Sequence, residues 1–357
     1  MKFLSNVAYS DFCLKLQDKS CGRPLCAQIA VTFNCNLSCV YCYLGSFRNA
    51  SGSKEMDHAF LKDLLDQLAD SGIIWLSFTG GEPLLRKDFK RIYVYAKRKG
   101  FITTILTNAT LIDEKWIGIF KEYPPFCLDI PINAVEPRLY DRLSAARGAW
   151  TKFSGAIDLL CKNNISFRLK ATVMAPNLNQ VERIRKFASD LGVPFNLSPI
   201  VYPCLDRSSG PLSLRISPRQ AARFFMDEDS EGYCEKLPLP TVAGLNLRKL
   251  FRCSTARFSV FIDPFGCLSG CDCLSNMPID LKTTTFESGL SCLLSEIPSL
   301  EFKTESQCVS CKIRDVCLIC PGIAYLETGN EENPVDYFCC LARTRDEQRK
   351  KYLIKDC

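Results

Sequence analysis

Two registers of apolar and polar positions recur along the first part of the chain. Short dense apolar runs at 27–33, 73–79, 101–107, 126–132, 165–173 and 194–201 have the length and content of buried strands. Between them lie amphipathic stretches such as 56–65 and 187–192, whose apolar residues return every three to four positions, as on one face of a helix. Gly72, Gly100 and Gly192 follow the helical stretches, where a left-handed residue ends a helix. Six strand–helix units predict a parallel sheet covered by helices; this rhythm fits an open sheet and a curved partial barrel equally.

The pattern changes further on. Residues 1–26 are too few for a domain and form an N-terminal extension carrying Cys13, Cys21 and Cys26, and the strand–helix region spans 27–205. Residues 206–252 shift in composition, with a helical stretch at 218–227 and the Leu237-Pro238-Leu239-Pro240 run, and read as linker helices. Cysteine density then jumps over 253–342, where 259–268 reads as a β-hairpin turning at Gly266, and a charged, helical tail closes the chain at 343–357.

Composition narrows the chemistry. Hydrophobic residues make up 47% and charged residues 24%, which suits a packed globular protein rather than a disordered one. The first residues lack a signal-peptide apolar region, and no run approaches the ~20 residues of a membrane span, so the expectation is a cytoplasmic protein without a membrane partner. In a reducing compartment 22 cysteines point to metal or cluster ligation rather than disulfides. The single histidine, His58, excludes zinc sites that need two or three histidines and disfavours a histidine-based hydrolase; at a helix start it reads as a surface residue. The net charge of +6 is modest, and Lys97-Arg98-Lys99 and Arg349-Lys350-Lys351 read as solvated helix faces, so no nucleic-acid partner is expected.

Two stretches carry chemistry. Cys35, Cys39 and Cys42 follow the first apolar run, so one tight loop at a strand end presents three thiols. Structural sites use four protein ligands, while a catalytic site leaves a position open, which makes the number three informative. Gly80-Gly81-Glu82-Pro83 follows the second run; its glycines let backbone approach a ligand, and Glu82 offers a carboxylate to an ammonium group.

With Tyr41 at the aromatic position, the triplet resembles the radical S-adenosylmethionine (radical SAM) motif C-x3-C-x-aromatic-C, and the glycine pair resembles that family's GGEP motif. The resemblance implies a TIM-like partial (β/α)6 barrel and a four-iron four-sulfur (4Fe-4S) cluster held by Cys35, Cys39 and Cys42. Its fourth iron would bind S-adenosylmethionine, with Gly80, Gly81 and Glu82 holding the methionine amino group. Thr107-Asn108 resembles the family's T-N-G segment, with Ala109 in the glycine's place. The fourth strand places Pro131 or Asn133 where relatives contact the ribose, and Asn133 is favoured. Tyr140-Asp141-Arg142 with Arg147-Gly148 looks like a stretch seen in peptide-modifying members. Arg168 and Lys170 either pair the methionine carboxylate or face outward. Asn196–Ile200 resembles the family's D-P-I segment, with Ser198 replacing the acid.

In the C-terminal part, Cys253, Gly266 and Cys271 are followed by Cys308-x2-Cys311-x5-Cys317-x2-Cys320 and Cys339-Cys340. The knuckles alone suit zinc or an iron–sulfur cluster. Together they resemble the SPASM extension of radical SAM enzymes, departing from it in the two-residue gap between Cys317 and Cys320. That resemblance implies two auxiliary 4Fe-4S clusters. One would use Cys308, Cys311, Cys317 and Cys339, with Cys340 as a substitute for Cys339. The other would use Cys253, Cys271 and Cys320, its fourth position taken by Cys267 or Cys273 or left open. Cys127, Cys161, Cys204, Cys234, Cys292 and Cys357 read as ordinary thiols.

The implied activity is an oxidoreductase that cleaves S-adenosylmethionine to a 5′-deoxyadenosyl radical and modifies a peptide or protein side chain, for instance by a thioether or carbon–carbon crosslink in a ribosomal peptide. No catalytic acid or base is assigned. The implied partners are the peptide, a separate leader-binding protein and a flavodoxin- or ferredoxin-type reductant. The alternatives are formylglycine formation as in sulfatase maturation, radical modification of a small molecule such as a tetrapyrrole, and a cluster- or zinc-bearing binding protein.

Overall fold

The computed structural model describes residues 22–50, 54–225, 248–253, 255–274 and 276–353. The readings for Cys13, Cys21, Cys234, Cys357 and the 237–240 run lie outside them. In chain order come β1 (Cys26–Thr32), α1 (His58–Asp70), β2 (Trp75–Gly80), α2 (Phe89–Arg98), β3 (Ile102–Leu106), α3 (Glu114–Glu122), β4 (Cys127–Pro131), α4 (Pro137–Ser144), α5 (Ala149–Lys162), β5 (Phe167–Thr172), α6 (Val181–Asp190) and β6 (Phe195–Ser198). The second part adds α7 (Pro218–Phe224), β7 (Ser259–Ile262), β8 (Cys267–Ser269), β9 (Ile279–Asp280), α8 (Phe286–Ser299), α9 (Pro321–Thr328) and α10 (Asp336–Leu353).

All six expected strands form, and β1 to β6 pair in sequence order, each parallel to the next. The alternation along each strand sets its two faces. Phe167, Leu169 and Ala171 of β5 are buried in the main core, while Arg168 and Lys170 between them are partly exposed. The helices complete that core with one face each: Leu61, Leu64, Leu65 and Leu68 from α1, and Phe89, Ile92, Tyr93 and Ala96 from α2. Side-chain caps fix where helices begin; Asp57 accepts from the Phe60 amide and Asp113 from the Trp116 amide. Gly72, Gly100 and Gly192 all have positive φ after the helices they end. This six-unit parallel α/β sheet, with β6 as its outer strand, has the strand order of the partial barrel that the resemblance implies and is not closed.

The expected hairpin at 259–268 forms, but it does not stand apart. β7 pairs parallel with β1, and the sheet runs β6-β5-β4-β3-β2-β1-β7-β8-β9. Val260 and Ile262 enter the same core as Ile29 and Val31. Periodicity reports which face of a strand is buried and carries nothing about its neighbour, so this pairing was invisible in the sequence. It also covers the edge of β1 that would otherwise present unpaired backbone groups. The charged tail expected at 343–357 is, as far as Leu353, the continuation of α10, which packs on α7. His58, expected at the surface, is half-buried at the start of α1, with Nδ1 3.6 Å from Asp88 Oδ2. Among the described residues no helix is long and apolar enough to cross a membrane.

Candidate active site at the strand ends

The chain leaves β1 at Thr32 and enters the cysteine loop, which is anchored on several sides. The Cys35 amide donates to Asn49 Oδ1 (2.8 Å), and Asn49 Nδ2 donates back to the Cys35 carbonyl (3.2 Å). Ser38 and Val40 amides donate to the carbonyls of Ser144 and Leu143 at the end of α4 (3.0 and 2.9 Å). The Cys42 amide closes a turn onto the Cys39 carbonyl (3.1 Å). Burial pushes all three thiols up, Cys39 to about 11, and negative charge on Cys42 and Cys35 adds to the shift at Cys39. Tyr41 sits between Cys39 and Asn133, and burial raises its phenol well above the ordinary value. Cys204 is buried nearby, its thiol donating to the Cys42 carbonyl (3.4 Å). Among the described residues no three His, Cys, Asp or Glu side chains converge as a single ion requires. Three thiols on one loop, with Cys35 and Cys42 both within electrostatic reach of Cys39, are the kind of donor set an iron–sulfur cluster would take.

The Gly80-Gly81-Glu82 turn lies directly against this loop. A Cβ on Gly80 would stand 2.0 Å from the Thr32 carbonyl oxygen, and one on Gly81 2.3 Å from that of Asn34. The same carbonyls accept from the Gly81 and Glu82 amides (2.8 and 2.9 Å). The close approach expected of these glycines is therefore made to the chain's own cysteine loop. Glu82 is fully buried and accepts three neutral donors: the Leu84 amide (3.0 Å) and Thr107 hydroxyl (2.8 Å) on Oε1, and the Asn108 amide (2.7 Å) on Oε2. Burial outweighs these donors and lifts its carboxyl to about 7. A carboxylate offers about four lone-pair positions, so one more donor can be received.

Thr107 and Asn108 extend the same unit. Asn108 Nδ2 donates to Asn36 Oδ1 (3.0 Å) and lies 3.8 Å from Cys35 Sγ; Asn36 Nδ2 reaches Thr110 Oγ1 (2.8 Å), which donates to Asn108 Oδ1 (2.6 Å). Ala109 has φ of 64°, which accounts for a glycine at this position in the T-N-G pattern it resembles. Asn36, Asn49 and Thr110 were missed by the sequence reading, because an isolated Asn or Thr in a loop gives no signal until its partner is located.

The remaining candidates sit on β4 and β5. Asn133 is buried; its Oδ1 accepts from the Thr172 amide (2.7 Å) and its side chain meets Tyr41, so partners within the chain already engage it. Arg168 binds Asp129 through Nε and through Nη2 (2.8 Å), and Lys170 Nζ lies 3.6 Å from the same carboxylate. Of the two orientations open from sequence, both cations take the face away from the Leu128, Ile130 and Leu169 core, with buried Asp129. Asp129 went unread because an acid in a strand shows its purpose only when the neighbouring strand supplies the base. Lys170 also acts on Asp272, whose carboxyl burial raises.

Among the described residues every cysteine is a free thiol. In the C-terminal part, Cys317 is within electrostatic reach of Cys308, Cys311 and Cys339, and Cys271 within reach of Cys253 and Cys320. Cys340 and Cys161 are exposed, Cys127 is buried, and Cys292 hydrogen-bonds Glu296.

Residues 29–188 match the radical SAM superfamily. The chain is 25% identical over 252 residues to the antilisterial bacteriocin subtilosin biosynthesis protein AlbA of Bacillus subtilis (strain 168), covering 70% of this chain and 55% of AlbA. It is 23% identical over 333 residues to the AdoMet-dependent heme synthase of Methanosarcina barkeri (strain Fusaro / DSM 804), covering 85% of this chain and 93% of that protein. The fold is shared with Streptococcus suis SuiB bound to S-adenosylmethionine, with a TM-score of 0.68, 16% identity and coverage of 95% of this chain and 84% of SuiB.

Proposed function

We propose, from the premise that residues 29–188 are a radical SAM domain, that this chain is an enzyme that modifies a peptide or protein side chain. The observation that carries this reading is the hydrogen-bonded unit joining the Cys35 loop, Glu82 and Thr107-Asn108. Within it, Cys35, Cys39 and Cys42 hold a 4Fe-4S cluster, and Tyr41 shields it. Glu82 receives the methionyl ammonium of S-adenosylmethionine at its remaining acceptor position, in a cradle built by Gly80, Gly81, Thr107 and Asn108. Lys170, partly exposed and 3.6 Å from Asp129, takes the methionyl carboxylate, with Arg168 on the same strand face; Asn133 borders the nucleoside. When bound, the cluster and S-adenosylmethionine would together supply a 5′-deoxyadenosyl radical for hydrogen abstraction. The region 253–342 holds auxiliary clusters on Cys308, Cys311, Cys317 and Cys339 and on Cys253, Cys271 and Cys320, beyond a barrel at 27–205 and a linker at 206–252.

The likeness to AlbA, a bacteriocin biosynthesis protein, supports a peptide substrate. The proposal takes a thioether or carbon–carbon crosslink as the product, and a separate leader-binding protein and a flavodoxin- or ferredoxin-type reductant as partners. The longer match to a heme synthase supports a second reading, in which a tetrapyrrole is the substrate. The test is anaerobic reconstitution followed by S-adenosylmethionine and dithionite. About twelve irons and accumulating 5′-deoxyadenosine are expected, with the nucleoside abolished by Cys39→Ala. Four irons with zinc would remove the auxiliary clusters from the proposal; no nucleoside from a fully reconstituted protein would end it. Mass loss in a supplied precursor peptide, against turnover of a supplied porphyrin, separates the two substrates.

A further inference from the structure

We propose that Cys273, and not Cys267, completes the thiolate set of Cys253, Cys271 and Cys320, so that the chain itself holds every corner of that auxiliary cluster. This rests on the auxiliary-cluster reading above and decides what such a cluster is able to do.

Two glycines bring the three cysteine-bearing segments together. A Cβ on Gly322 would stand 2.7 Å from the Cys273 carbonyl oxygen and 3.2 Å from the Cys273 Cβ. Only a residue without a side chain lets the Cys271–Cys273 turn rest on the start of α9, where Cys320 is the N-cap and its sulfur accepts from the Ile323 amide (3.4 Å). A Cβ on Gly270 would stand 2.6 Å from Thr255 Oγ1 and 3.5 Å from the Ala256 amide, so this turn is also pressed against the segment that follows Cys253. The Leu274 amide closes the turn onto the Cys271 carbonyl (3.1 Å), which keeps Cys271 and Cys273 within one bend.

The electrostatic neighbours divide the candidates in the same way. Cys273 is within reach of Cys271 and Cys320, and both of those are within reach of Cys253. Cys267 answers chiefly to Asp263, Asp280 and Lys282, not to another cysteine. It lies in β8 opposite Asp280 of β9, and its amide is bound by Asp263 Oδ1 (2.9 Å). Four thiolates leave no iron free for a substrate atom, so this cluster takes up or passes on an electron and does not anchor substrate.

The test uses the full chain with Cys35, Cys39 and Cys42 all replaced by alanine, reconstituted anaerobically, with isotope-labelled cyanide as the probe for an open iron. About eight irons are expected, with no cyanide hyperfine coupling in the reduced paramagnetic spectrum, and Cys267→Ala in this background changes neither. Cys273→Ala opens an iron that binds cyanide or is lost from the cluster. Cys273→Ser, the variant that retains a ligand, keeps the iron count and shifts the spectrum and midpoint potential. Cyanide coupling with Cys273 intact, or a response to Cys267→Ala with none to either Cys273 variant, overturns the assignment. A triple-alanine background that retains zinc in place of iron would instead overturn the auxiliary-cluster reading beneath it.

Discussion

At the scale of single residues, Glu82 holds the most chemistry. Its carboxyl is raised by burial to about 7, against the 4.5 of a solvated glutamate, with only neutral donors around it. The unfolded chain ionises this group near the lower value and the folded chain near the higher, so without a cation the fold loses stability as pH climbs between them. An ammonium ligand needs the ionised form. S-adenosylmethionine affinity, measured by equilibrium dialysis, is therefore expected to rise from about pH 6 to about pH 8 and level off above the shifted value. Glu82→Gln should flatten that profile and weaken binding by about 2 kcal/mol, roughly thirtyfold, as when a charged hydrogen-bond partner is lost. An unchanged profile in the variant would contradict this role. Gly80→Ala places a Cβ 2.0 Å from a backbone oxygen, at φ of 132°, so β1 and β2 must separate where the site is built. A melting temperature lowered by several degrees and lost S-adenosylmethionine binding are the expected readouts. The sequence showed Glu82 and the glycines through their motif, yet it attributed to a ligand the close contact that the Cys35 loop makes.

At the scale of elements, strand formation was legible and strand partnership was not. The β5 run Phe167-Arg168-Leu169-Lys170-Ala171 states its alternation openly, and its two charged residues fall on one face for that reason. Their common partner, Asp129, comes from β4, thirty-nine positions before Arg168. β7 gives the stronger case, since nothing in Ser259–Ile262 names β1 as its neighbour. Truncation of the chain at residue 252 should uncover the β1 edge together with the core face that Val260 and Ile262 fill. The expected outcome is a species that elutes as aggregate in size-exclusion chromatography, even though every residue of the cysteine loop is retained. A monodisperse, folded truncation would show that the pairing is dispensable.

At the scale of the whole molecule, Arg215 fastens the two parts together. Its guanidinium binds both oxygens of Glu327 on α9 (2.5 and 3.1 Å), donates to the Val201 carbonyl beyond β6 (2.9 Å), and covers the Tyr337 ring of α10 with 4.5 Å to the centroid. Both side chains of the ion pair are more than nine-tenths buried. Removing one partner strands the other charge, so Glu327→Ala is expected to cost about 3–5 kcal/mol, while replacing Arg215 and Glu327 together by methionine recovers most of it. Thermal unfolding of the single and double variants, under one set of reconstitution conditions, measures the difference. The sequence suggested a linker here because composition shifts, but a residue's reach across the fold is not written in its neighbours.

β1 has one further consequence. It is clasped by β2 on one side and by β7 on the other, and it ends in the loop that carries Cys35. The proposed S-adenosylmethionine pocket and the hairpin that opens the cysteine-rich region thus share one backbone ladder. An electron travelling between the proposed iron centres would tunnel through a gap of fixed width, without waiting for any hinge to swing shut.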